Sequence, residues 1–184
     1  MIYSIPSSTK FSRGGNGRDT DIDRKAFQDY YPDELSHCYG CGRLNEQGLS
    51  LKSYWDGEET VAILNPRPYH IAIPGYVYGG LLASLIDCHG TGTAAAAAYR
   101  AARRTMDTEP ALRFLTASLK VDYLKPTPLG IELEVRGKVD EVKGRKVVIQ
   151  EWIVAGGVTT VRGEVVAVQV PDEMVEALLK EKPG

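Results

Sequence analysis

Asp87 is the residue of this chain from which chemistry can be argued first. It lies in the stretch from Pro74 to Arg100, PGYVYGGLLASLIDCHGTGTAAAAAYR, where a turn and a glycine pair open a long helical pattern carrying one carboxylate. At about 100° per residue, Tyr78, Leu81, Leu82, Leu85, Ile86 and His89 share one face, a core stripe. Gly80, Ala83, Ser84, Asp87 and Thr91 follow one another on the opposite face at spacings of three or four, small enough for a second surface to approach closely. An acid is costly to bury unpaired and a glycine weakens a helix interior, so this face predicts a carboxylate with work to do, a general base looking into a narrow gap. The alternative is a solvated outer face, against which the five alanines after Thr93 argue.

Other side chains could do chemistry and read more plainly. His37, Cys38 and Cys41 could begin a zinc site, but four ligands are needed and no second C-x-x-C or H-x-x-H follows. Cys88, His70 and His89 could join only through folding, so the expected reading is a structural turn and no metal. His89 falls on the apolar stripe and reads as a satisfied core histidine, and Cys88 as a buried thiol. His70 lies in the loop before the helix, where polar residues often carry function. Lys143, Arg145 and Lys146 cluster at a turn and could hold phosphates, as could Arg100, Arg103 and Arg104 past the helix; a solvated surface is the alternative for both. Gly14-Gly15-Asn16-Gly17 is no phosphate loop, since no strand precedes it and no Lys-Ser/Thr pair follows. Tyr76 and Tyr78 suit either the core or a pocket wall.

The elements that must position these residues follow from composition and period. With 184 residues, 43% hydrophobic and 25% charged, the chain can bury one ordinary globular core. The net charge of -2 gives no reason to expect nucleic acid, and no apolar run is long enough for a membrane span. Three cysteines make no disulfide framework, and no hydrophobic signal core opens the sequence, so a cytoplasmic protein is expected. Residues 1–25 are polar and without period, a flexible arm, leaving 26–184 as a single domain. A short helix is expected from Ala26 to Leu35, then a glycine-punctuated loop, then strands at Leu49–Tyr54 and Thr60–Asn65 about the Asp56-Gly57 turn. After the long helix the period changes to two. Leu115, Ala117, Leu119, Val121 and Tyr123 alternate with Thr116, Ser118, Lys120 and Asp122, and further strands are expected at Ile131–Val142, Lys146–Ala155 and Thr159–Val170. Strands, one helix and then a meander of four strands predict an α+β domain whose curved antiparallel sheet wraps one long central helix.

In this order of elements, CYGCG followed by N-x-x-G-L at Asn45 to Leu49, then PGYVYGGLLASLID, then a strand ending YLKPTPLG, resembles the hotdog-fold acyl-CoA thioesterases of the phenylacetate-pathway and 4-hydroxybenzoyl-CoA type. The resemblance covers roughly residues 36 to 170. It implies that Gly79 offers the backbone N–H that polarises a thioester carbonyl, that Asp87 is the carboxylate acting as base or nucleophile, and that Thr116 helps hold the water or the carboxylate. Two positions depart from the pattern: Tyr78 stands where a histidine usually precedes the glycine pair, and Ala72 where some members have asparagine. A tyrosine hydroxyl can replace one hydrogen bond.

Geometry adds a consequence. Thioester hydrolysis passes through an oxyanion, which a helix N-terminus can hold, yet eight residues at about 1.5 Å each place Gly79 roughly 12 Å from Asp87. One subunit cannot bring both to one carbonyl, so an antiparallel partner helix about a two-fold axis is expected, giving two sites per homodimer, with a dimer of dimers left open. The expected substrate is an acyl-CoA or similar thioester, bound with the help of Tyr78, Gly80, His70 and the turn cations Lys143, Arg145 and Lys146. No cofactor is expected beyond the coenzyme A of the substrate itself. Two other readings use the same fold: an acyl-CoA-binding module without turnover, and a dehydratase, for which no histidine falls opposite Asp87.

Overall fold

A computed structural model describes residues 25–180 of the chain. The expected arm therefore lies, apart from Lys25, outside the described residues. The elements are β1 (Ser53–Asp56), β2 (Glu59–Leu64), α1 (Gly79–Ala101), β3 (Phe114–Tyr123), β4 (Leu133–Lys143), β5 (Lys146–Ala155), β6 (Val158–Gln169) and α2 (Asp172–Lys180). The six strands form one antiparallel sheet in the order β1-β2-β4-β5-β6-β3, and α1 packs across it.

Turn chemistry sets the hairpins. Gly57, Gly144, Gly156 and Gly157 adopt positive φ at the three tight turns, which glycine reaches without a steric cost. The β4, β5 and β6 strands form a meander, but β3 does not continue it. It pairs with β6 at the far edge, and the chain then crosses the sheet end through Leu124–Glu132 to reach β4. That crossing is tied beneath the start of α1, where the Val77 and Leu129 N–H groups donate to Thr127 and Gly75 carbonyls.

Leu81, Leu82, Leu85 and Ile86 of α1 are at most 4% exposed and meet Val135, Ile149, Ile153, Val161 and Val165 of the sheet. Helix and sheet come close because glycines face the contact: a Cβ on Gly163 would lie 2.5 Å from Ile86, and one on Gly90 2.7 Å from Val165. Bulges in β3, β4 and β6 interrupt the ladders and bend the strands.

Three sequence expectations need correction, and one element went unforeseen. Tyr78 does not join the core stripe; it is 58% exposed, because it stands before the first helical turn on extended backbone. The stretch 26–35 forms two 3-10 turns rather than one helix, since Pro32 holds Tyr31 extended between them. The four-strand meander is a three-strand meander plus the edge strand β3. A C-terminal helix, α2, follows β6, and its Val175 is buried against the domain. Pro171 followed by Asp172 and Glu173 was its signal.

Candidate active site

Helix α1 starts at Gly79, and the first N–H groups of any helix lack partners within it, so the Gly79 and Gly80 donors and the positive end of the dipole coincide. Tyr78 folds its ring over Gly80, where a Cβ would lie 2.4 Å from the ring. From β3, the Tyr123 hydroxyl donates to the Gly79 carbonyl at 2.8 Å, fixing the strand to the helix start.

Two turns further on, Asp87 is half-buried, and the Thr116 hydroxyl of β3 donates to its carboxylate. This contact depends on a bulge. Thr116 pairs with Ala167 and Ser118 with Val166, which leaves Ala117 as the extra residue. One extra residue reverses the alternation, so Phe114 and Thr116 face the helix before the bulge and Val121 and Tyr123 face it after. Leu115, expected inside by a period of two, is therefore outside and 59% exposed.

The residues on either side of Asp87 along the core point elsewhere. His89 is fully buried, with Nδ1 2.9 Å from the Ser53 hydroxyl and Nε2 2.9 Å from that of Thr60, which also meets Thr93 at 2.7 Å. Gln28 completes the chain through Ser53 at 3.1 Å. Burial lowers the imidazole to about 4, so His89 is a neutral, satisfied core group.

Glu151 of β5 was not singled out by the sequence reading, although it occupies the inward phase between Ile149 and Ile153. It is 2% exposed, and neither carboxylate oxygen has a hydrogen-bond partner among the described residues. Gly137 and Gly163 stand opposite it on the neighbouring strands, and Gly90 of α1 lies over it, so three missing side chains leave room for the carboxyl. Desolvation, and after it the negative charge of Asp87, pushes Glu151 well above the usual carboxylate range.

A cleft of about 600 Å³ opens beside the helix start. Tyr78, Gly80 and Ser84 form one wall, His70 and Tyr69 another, and Tyr39, Gln47 and Leu49 of the C-x-x-C loop a third. The structure thus brings together Tyr78, Gly80 and His70, but Asp87 and Thr116 lie outside this cleft. His70 accepts the Arg67 N–H at 3.1 Å, and burial and the Arg67 charge lower its pKa. Lys143, Arg145 and Lys146 also lie apart, at the β4–β5 turn. Lys146 pairs with Glu141 at 2.6 Å, Arg145 donates to the Gln169 carbonyl at 3.0 Å, and Lys143 is exposed. This turn is at the same end of the sheet as Thr116, since Val147, Ala167 and Thr116 share one ladder level. Arg100 lies over Trp55, 3.4 Å from its ring centre. Tyr123, Tyr39 and Gln47 were missed as site neighbours. Each lies in a motif that carries the family resemblance, Tyr39 in CYGCG, Gln47 in N-x-x-G-L and Tyr123 at the start of YLKPTPLG.

Known proteins bear on this geometry. The family model described as the thioesterase superfamily matches residues 74–161, a span that holds Gly79, Asp87 and Thr116. A crystal structure of a thioesterase superfamily protein from Shewanella loihica PV-4 is 50% identical, covering 76% of this chain and 98% of that one with a TM-score of 0.58. The chain belongs to the thioesterase superfamily, and its antiparallel sheet packed on one long helix is the hotdog fold. The E. coli PaaI protein of the phenylacetic acid degradation operon shares that fold at 16% identity, with a TM-score of 0.55 over 67% of this chain and 81% of that one. Among curated relatives, the acyl-coenzyme A thioesterase THEM4 of Xenopus laevis is 36% identical over 87 residues, 47% of this chain. The match spans 33% of that protein, so the chain corresponds to about a third of the relative's length. No helix among the described residues is long and apolar enough to cross a membrane.

Proposed function

We propose that this protein hydrolyses an acyl-CoA or similar acyl thioester to the free acid and thiol. The observation that carries the reading is Asp87, half-buried on a stripe of small residues and held by the Thr116 hydroxyl, in a chain whose helix start offers free backbone donors at Gly79. Asp87 acts as general base on water or attacks the acyl carbon, Thr116 fixes the carboxylate, and the Gly79 N–H holds the oxyanion. The cleft at Tyr78, Gly80 and His70 takes part of the substrate, and the turn cations at Lys143, Arg145 and Lys146 attract the nucleotide phosphates.

The site is shared between two subunits in this reading. Support comes from the uncovered surface: the stripe Gly80, Ala83, Ser84, Asp87 and Thr91 is half-buried, and β3 is an edge strand with Leu115, Leu119 and Tyr123 exposed by 59%, 39% and 55%. Two such surfaces meeting about a two-fold axis would cover these groups and set Gly79 of one chain against Asp87 of the other. Three free thiols fit a reducing, cytoplasmic setting.

Thiol release from a panel of aliphatic and aromatic acyl-CoAs, with wild type beside Asp87→Asn, tests the chemistry. Turnover by the wild type that falls at least roughly a hundredfold in the variant is expected. Acyl-CoA binding with no thiol released by the wild type would leave a binding module instead, a reading that the Tyr78 ring over Gly80 favours. Gly79→Pro tests the subunit sharing, since proline suits a first helical position and Tyr78 already has the extended backbone proline requires before it. It removes the N–H and adds a ring whose Cβ would lie 3.4 Å from Tyr123, an ordinary van der Waals contact. Mixing inactive Gly79→Pro and Asp87→Asn chains should restore about a quarter of the wild-type sites, those of mixed dimers with one intact pair. No recovery after verified subunit exchange would sink the shared site.

A further inference from the structure

All three cysteines of the chain converge on one point. Cys38 and Cys41 come from the C-x-x-C loop and Cys88 from α1, and their three Sγ atoms lie within 4.8 Å of one another, with Cys38 and Cys88 3.6 Å apart. Tetrahedral zinc with bonds of about 2.3 Å to sulfur sets its thiolates about 3.8 Å from each other, so only small adjustments separate this cluster from a ligand set. The sequence offered two of these ligands; the fold supplies the third, from 47 residues further along the chain than Cys41.

The loop is built around the thiols. Gly42 N–H donates to the Cys38 carbonyl at 2.8 Å, closing the turn. A Cβ on Gly40 would lie 2.2 Å from the Cys88 Sγ, so the glycine is what lets the helix thiol enter the loop. Leu49 and Leu51 N–H groups donate to the Tyr39 and Gly40 carbonyls at 2.8 and 2.9 Å, holding the loop against the chain that leads into β1. Cys41 and Cys88 are buried, whereas Cys38 is exposed, which leaves an entry path on its side.

We propose that Cys38, Cys41 and Cys88 bind one zinc ion, with a fourth position open to solvent on the Cys38 side. Binding releases the thiol protons and leaves a site of three thiolates, the donor type zinc selects over harder cations. The ion pins the loop carrying Tyr39 and Gln47, one wall of the cleft, to the helix residue next to Asp87. This inference does not rest on the thioesterase reading, since it can be measured without any substrate.

The test uses the full chain without a metal-binding tag, purified with reductant. Elemental analysis should find about one zinc per chain after dialysis, and replacement by Co(II) should give a sulfur-to-cobalt charge-transfer band. Cys88→Ser should weaken metal binding at least roughly tenfold, and Cys38→Ser, at the exposed edge, should do the same if the buried variant fails to fold. Removing the ion with a chelator should speed hydrogen exchange of residues 38–49 while the β5 and β6 amides stay protected. Three results would each overturn the site: a reduced wild-type chain that takes up neither zinc nor a thiolate-bound cobalt, a folded Cys38→Ser or Cys88→Ser chain that holds metal as tightly as the wild type, or a Cys38–Cys88 disulfide in the reduced preparation.

Discussion

Asp87 and His89 are two residues apart on one helix and are held in opposite ways. His89 is sealed in the core, with both ring nitrogens matched to hydroxyls of Ser53 and Thr60, and burial keeps it neutral. Asp87 is half-buried, bonded by one hydroxyl from the edge strand, and faces a stripe left without large side chains. The first arrangement completes every hydrogen bond inside one chain, which stabilises the fold and leaves nothing for a ligand. The second leaves a carboxylate oxygen and a surface for something else to complete. Polar groups two residues apart on one helix thus differ in what they leave open to a ligand because of what covers them.

The sharpest way to break this contrast is to exchange the effects of the two residues. Asp87→Asn should cost at least roughly a hundredfold in kcat with the melting curve unchanged, whereas His89→Leu should lower stability by about 2–4 kcal/mol through the loss of two buried hydrogen bonds, to Ser53 and Thr60. An Asp87→Asn chain that melts early but keeps its turnover would reverse the assignment. Acid gives the next largest effect. His89 titrates near its ordinary 6.5 when unfolded but only at about 4 when folded, so its contribution is intact above pH 6.5 and falls away between 6.5 and 4. The stability difference between the wild type and His89→Leu, read by urea titration, should shrink by about 3 kcal/mol over that window. Thr116→Val should reduce kcat by about tenfold with KM little changed, and Thr116→Ser should recover most of it, since only the hydroxyl matters to Asp87. An equal loss in the serine variant would assign Thr116 to packing.

Glu151 sharpens the comparison from the other side, being as deep as His89 yet without a partner. Its folded pKa is raised, so the unfolded chain gives up that proton first; stability from this residue is whole below about 4.3 and declines as pH rises toward the folded value. Glu151→Gln should flatten the decline, as read by urea unfolding at pH 5 and pH 8. An unchanged slope would mean that another group sets it.

The hairpin strands were legible in the sequence because their glycine turns and alternation are local; β5, Lys146–Ala155, matches its expected bounds. The long helix and the placement of Asp87 on its small-residue face followed from period and spacing in the same way. Thr116 illustrates the limit. Its position was carried by family resemblance, while simple alternation turned it away from the helix, because a bulge costs one residue of phase and leaves no mark in composition. Glu151 sat in an inward phase, yet the room for its carboxyl is made by three glycines far apart in sequence that meet around it. Cys88 looked like an inert thiol until the loop at Cys38 closed over it. The sequence by itself determined which faces and turns this chain could form, since those depend on neighbours within a few residues. Only the tertiary structure decided which polar groups are paired, stranded or clustered, because that depends on contacts between residues tens of positions apart.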